Sequence, residues 1–283
     1  MARDAQALVD SANQLYTLPT IYYQVDTAIN DPVSTATRIG KIISEDAGLS
    51  ARLLRVVNSA YFGLPSRIDT ISRAVTVIGT HQLRDLILAT SVIESFRGIP
   101  DSLVDMESFW RHSIATGVAA RIIATYLREP NVERFFVGGL LHDIGSLLTY
   151  AQIPRDEAAV LKHCAETDAL LHVAERELLG YDHAEVGGLL LKSWKLPTAL
   201  ADMARCHHAP HKSSQHAAEV AVIHVADIIS HALELGSNGE KFVPPLESSA
   251  WDRLGLSEGA LSTIVGLVDK QYNNAVSQIL RAH

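Results

Sequence analysis

Apolar residues recur along this chain at steps of three and four, the spacing that lines one face of a helix. Ile71, Val75 and Ile78 follow Thr70, a residue suited to capping a first turn, and Leu83, Leu86 and Ile87 follow Thr80 in the same way. Val186, Leu189, Leu190 and Trp194 form a further stripe, which must stop before Pro197, and Pro197 in turn suits the first turn of a helix running toward Arg205. Ser213 or Ser214 is placed to open a helix through Val220, Ile223 and Ile229, which Gly236 can close. Leu261, Ile264, Val265, Val268 and Ile279 mark a last helix behind Ser257. No segment alternates polar and apolar residues for long enough to require a strand. The pattern predicts an all-α protein.

Two breaks divide it. SFRGIPDSL, at 95–103, interrupts the periodicity with Gly98 and Pro100, and ELGSNGEKFVPPLESS, at 234–249, is rich in Gly, Pro and Ser. The expected organisation is an N-terminal helical half over 1–100, a second half over 101–235, and a loop with a C-terminal helix over 236–283 that packs on the body. Apolar residues at 47% and charged residues at 20% are ordinary for a globular chain with ample interior. The net charge of −8, with no concentration of Lys or Arg, disfavours a nucleic-acid partner. The opening MARDAQALVD is too polar for a secretory leader, and no uninterrupted apolar run is long enough for a membrane span. Cys164 and Cys206, the only cysteines, suggest neither a metal pair nor a disulfide framework, so a cytoplasmic setting is expected.

Histidine changes the picture. There are 13, against six Phe and three Trp, and several fall inside apolar helical stretches of the second half. GGLLHDIGSLL places His142 and Asp143 among leucines, where burying them is costly unless they find partners. His112 lies in FWRHSIATG, His183 in GYDHAEVGG, the pair His207 and His208 in MARCHHAPH, and Asp227 in AVIHVADIIS. Singly, each reads as readily as a satisfied core or surface residue. Together, imidazole nitrogens and carboxylate oxygens without thiolate suit iron, manganese, zinc or magnesium. One carboxylate can bridge two such ions, which can activate water for attack on phosphorus. A metal would supply the partners these buried groups need.

The ordered series His112, His142–Asp143 within LLHDIG, and Asp227 within VADII resembles the HD-domain superfamily of metal-dependent phosphohydrolases. LPTIYYQV near residue 18, SEDAGLSARLLRVVNSAYFGLPSRIDTISRAVTVIG at 44–79 and the following HQLRDLILATSV resemble more closely the HDOD family, output domains of bacterial signalling proteins. The likeness extends over roughly 12–235. It implies an HD-like helical bundle with an added N-terminal helical subdomain. His183, His207 and His208 match in order the further ligands of the HD-GYP branch, which hydrolyses cyclic di-GMP. By that resemblance His112, His142, Asp143 and Asp227 would hold one divalent ion. Asp143, bridging, with His183, His207 and His208 would hold a second.

The chain departs from HD-GYP enzymes where catalysis is concerned. Ser146 stands in place of the lysine of HDIGK, and CHHAPHKSSQH has neither the following glutamate nor a Gly-Tyr-Pro motif. A cation beside the developing phosphorane charge is thereby lost. Two expectations follow. The first is a signalling module that binds a partner protein or a nucleotide or phosphate ligand around a di-metal site. The alternative is a metal-dependent phosphohydrolase acting on a phosphomonoester or phosphodiester, with Asp143 as its catalytic residue. Arg52, Arg55 and Arg67 read as a modest basic set on a solvated face.

Overall fold

A computed structural model describes residues 4–12, 15–59, 64, 66–96, 99 and 103–280, and among these the regular structure is helical. In chain order the first six helices are α1 (Ala5–Ala12), α2 (Thr20–Asn30), α3 (Ala36–Ser44), α4 (Ala47–Val57), α5 (Ile71–Ile78) and α6 (Thr80–Ser95). There follow α7 (Met106–Tyr126), α8 (Val132–Leu141), α9 (Ile144–Gln152), α10 (Pro154–Thr167) and α11 (Leu171–Leu179). The chain ends with α12 (His183–Ser193), α13 (Thr198–Cys206), a short 3-10 turn at Pro210–Lys212, α14 (Ala217–Ala232), α15 (Ser248–Leu254) and α16 (Glu258–Leu280). No helix among the described residues is long and apolar enough to cross a membrane.

The chain forms two compact units, one of residues 1–16 with 98–268 and the other of 17–97 with 269–283. This division differs from the expected one at both ends. Residues 1–16, expected with the N-terminal half, join the larger unit because α1 buries Leu8 and Val9 and packs on α9 and α12. The last helix is shared out, its residues from Asp269 onward belonging to the smaller unit.

In the smaller unit α2 packs on α3 and α6, and α5 on α3. Thr70 caps α5 by accepting from the Arg73 N–H, as its place before the apolar stripe predicts. Asn58 fastens the chain beyond α4. Its Nδ2 donates to the Leu54 carbonyl at 2.7 Å and the Ile68 carbonyl at 2.6 Å, while the Ile68 N–H donates to its Oδ1 at 2.6 Å.

In the larger unit α7 is the central element, packed on α8 and α14, while α12 packs on α9 and α13. Phe109, Ile114, Val118, Phe135, Leu140, Leu147, Leu190 and Ile223 are buried in this core. Two close approaches set its geometry. A Cβ on Gly139 would lie 2.6 Å from the Gly117 nitrogen, so α7 and α8 meet backbone to backbone. A Cβ on Gly145 would collide with the His183 carbonyl oxygen and lie 2.6 Å from the Gly187 nitrogen, so α9 is held equally close to α12.

Candidate metal centre

The helices deliver their polar residues to one buried point. α8 ends at Leu141 and α9 begins at Ile144, so His142 and Asp143 occupy the break between two apolar helices. Asp182 caps α12, its side chain accepting from the Glu185 N–H at 2.8 Å, which makes His183 the first helical residue. His207 and His208 lie just past the end of α13, His112 projects from the middle of α7, and Asp227 comes from α14. The structure thus gathers His112, His142, Asp143, His183, His207, His208 and Asp227 into overlapping clusters with the spacing of metal ligands.

Asp143 is the hub. Its Oδ2 lies 3.0 Å from His142 Nε2 and 3.6 Å from His112 Nε2. Its Oδ1 faces the other way, 3.3 Å from His183 Nε2 and 3.4 Å from His207 Nε2. Asp227 Oδ1 closes the first group, 3.1 Å from His112 Nε2 and 3.4 Å from His142 Nε2. His208 Nε2 extends the second, 2.9 Å from His183 Nε2. His112, His142, Asp143 and His207 have no exposed surface, and His208 is only half-buried.

The hydrogen bonds fix which nitrogen each ring turns inward. A carbonyl oxygen can only accept, so His142 Nδ1 donates to Gly139 O and His207 Nδ1 to Ala204 O, each at 2.7 Å. Their Nε2 atoms therefore carry lone pairs in the neutral rings, and both point into the centre without a hydrogen-bond partner. His112 Nε2, Asp143 Oδ1 and Asp227 Oδ1 are likewise buried and without such a partner. The lone pairs of His142, His207, Asp143 and Asp227 converge on one point, which a cation would satisfy, so the donor set fits a metal.

Protons are the alternative occupants. Burial works against a charged ring at His142, but Asp143 and Asp227 outweigh it and push its pKa up to about 10. At His183 burial is likewise outweighed, by Glu175 and Asp143, which hold its pKa well above the usual value. Burial and the neighbouring imidazoles hold His208 well below it. Asp143 and Asp227 resist the upward pull of burial and lie well below the carboxylate range, because histidines surround them.

Several supporting residues had not been singled out from the sequence. His231 Nε2 lies 3.4 Å from Asp227 Oδ1, one turn further along α14, a spacing visible in DIISH. Glu175 of α11 accepts from the His183 backbone N–H at 2.9 Å and lies 2.6 Å from its Nδ1. His172 stacks on His208 with ring centroids 4.1 Å apart. Asn238, 2% exposed, donates from Nδ2 to Asp143 Oδ2. Its segment is tied down as a strap: Tyr150 donates to the Asn238 carbonyl at 2.7 Å, and the Leu171 N–H donates to Glu240 at 2.6 Å. The expected loop at 234–249 is therefore part of the site.

Behind Glu175 lies a second buried carboxyl, Glu157, whose pKa burial and the Glu175 charge raise to about 8. The folded state therefore holds a proton there that the unfolded chain releases near pH 4.5, and stability falls as pH rises from about 4.5 to 8. Glu157→Gln removes that penalty. Thermal melts of the variant are expected to match the wild type near pH 4 and to exceed it by several degrees above pH 8.

An all-helical bundle that converges histidines and aspartates from separate helices on one buried point has the architecture expected of the HD class. The chain belongs to the HDOD domain family, whose pattern matches residues 15–210. The crystal structure of an HDOD domain protein from Geobacter sulfurreducens superposes with a TM-score of 0.80 at 24% identity, over 99% of this chain and 98% of that one. A candidate phosphohydrolase from Shewanella amazonensis SB2B gives 0.74 at 25% identity over 98% of both chains. An uncharacterised protein of Treponema pallidum (strain Nichols) is 25% identical over 232 residues, which are 81% of this chain. The chain spans 45% of that relative's length.

Proposed function

We propose that this chain is a signal-transduction module of the HDOD kind, built around a closed di-metal centre and acting mainly by binding a partner protein in the cytoplasm. In this reading His112, His142, Asp143 and Asp227 hold one divalent ion, and Asp143, His183, His207 and His208 hold the other. The observation that carries it is closure: every ligand but His208 is buried, and Asn238 covers Asp143 with a strap anchored at Tyr150 and Leu171. A centre so covered tightens the helices that converge on it better than it admits a phosphate ester. Ser146, where the related enzymes carry lysine, is itself fully buried and supplies no cation. Free, buried Cys164 and Cys206 suit a reducing compartment.

The second reading is a metal-dependent phosphohydrolase, favoured by the half-buried edge at His208 and His172. When bound, the metals would polarise a water and the phosphoryl oxygens. Asp143 would orient that water, Glu175 would hold His183 in place, and the rings of His172 and His208 would line the way in.

Protein purified without a metal-coordinating tag separates the two. Elemental analysis is expected to find bound metal, and chelation is expected to lower the melting temperature, since a ligand held only by the folded state stabilises it. Loaded protein is expected to show no turnover of p-nitrophenyl phosphate, bis(p-nitrophenyl) phosphate or cyclic dinucleotides. Turnover that disappears in Asp143→Asn would overturn the module reading in favour of the enzyme.

A further inference from the structure

We propose that a cavity in the smaller unit binds a nucleoside phosphate, at a site whose residues are distinct from the histidine and aspartate centre and whose case does not depend on it. The cavity has a volume of about 710 Å³, within the range of roughly 300–1,000 Å³ typical of small-molecule sites. Helix α4 supplies Leu54 and Arg55, the segment after it supplies Ser66, Arg67 and Ile68, and Gln278 comes from the last helix. The three hydrogen bonds of Asn58 fix Ile68 against α4 and so hold Arg67, its neighbour in sequence, beside that helix.

The lining has two characters. Leu54 and Leu64, both half-buried, offer apolar surface suited to the face of a base. Arg55 and Arg67 outnumber Asp69, the one acid in the lining, in a chain whose net charge is −8. Arg73 adds a cation at the margin, donating from Nη2 to Ser66 Oγ at 3.2 Å, which leaves the Ser66 hydroxyl hydrogen free to turn toward a ligand. Arg67 makes no hydrogen bond or ion pair among the described residues, so its planar fork of donors is available to a phosphate. Inorganic phosphate would fill a small part of this volume and leave the apolar wall unused. A nucleic acid would need a longer basic track than two arginines give. The geometry therefore favours a single molecule with a phosphate at one end and a flat, weakly polar body at the other.

Titration of the full-length chain with N-methylanthraniloyl-labelled ATP and GTP, read by fluorescence anisotropy, tests this. Saturable binding of at least one nucleotide is expected. Arg67→Gln should weaken it about tenfold, the loss expected for a charge-assisted hydrogen bond. Ser66→Trp, at an exposed position, should weaken it strongly by obstructing the cavity. Both variants should keep the wild-type melting temperature, and stripping the metal centre with EDTA should leave affinity unchanged. The proposal is overturned by an absence of saturable binding at millimolar nucleotide, or by Arg67→Gln binding as the wild type does. It is equally overturned if tripolyphosphate competes as strongly as ATP, if EDTA removes binding, or if a single-stranded oligonucleotide binds more tightly than either mononucleotide.

Discussion

Asp143→Asn is expected to leave the protein folded but nearly devoid of metal. Asparagine keeps the shape of aspartate and can still meet Asn238, but it loses the charge and one of the two oxygens that face opposite groups of histidines. The other side chains of the centre face one group each; Asp143 faces both. Affinity should fall by more than the roughly 10–100-fold that follows loss of a residue merely supporting a ligand. Elemental analysis and the chelator-dependent change in melting temperature both read this out. The variant should melt at the same temperature with and without EDTA. Retention of the wild-type metal content would show that the two groups of histidines do not share Asp143.

Gly145→Ala is expected to be the most damaging single-methyl change in the larger unit. The added Cβ would collide with the His183 carbonyl oxygen and lie against the Gly187 nitrogen, both backbone atoms that cannot swing aside. Relief requires α9 and α12 to separate, and those helices carry the chain on from Asp143 and His183. Overpacking of a tight core typically costs about 1–3 kcal/mol, and a backbone-to-backbone site belongs at or above the upper end. Urea unfolding monitored by circular dichroism should show that loss, and metal content should drop with it. A change below about 0.5 kcal/mol would mean that the two helices can part freely.

Much of the fold could be read from periodicity, because most helices bury one stripe and expose the rest. The structure departs from the pattern where a residue serves a distant partner or a turn instead of its own helix. Ser213 and Ser214 precede the start of α14 at Ala217, and Ser213 hydrogen-bonds Asp202 of α13 at 3.4 Å instead of capping. Gly236 does not end that helix, which stops at Ala232; with φ of +91° it lets the chain pass against the backbone of α7 beside Ser108 and His112. Pro197 sits at the N-cap of α13, one place before its first turn.

At the site, His142–Asp143 and Asp227 were visible because a polar residue in an apolar run violates the pattern. His231 was equally visible, one turn from Asp227. Glu175 and Asn238 were not, since they act through hydrogen bonds to His183 and Asp143, the latter 95 residues away, and lie in stretches where polar residues are unremarkable.

The strap at Asn238 also bears on timing. Its carbonyl is held by Tyr150 and its amide lies on Asp143, so for a metal bound as proposed, release on that side would wait on this segment letting go. Ion escape would then keep the rhythm of that local opening, and adding more chelator would stop hastening it beyond a plateau. A metal held in that way would outlast a fall in its surrounding concentration.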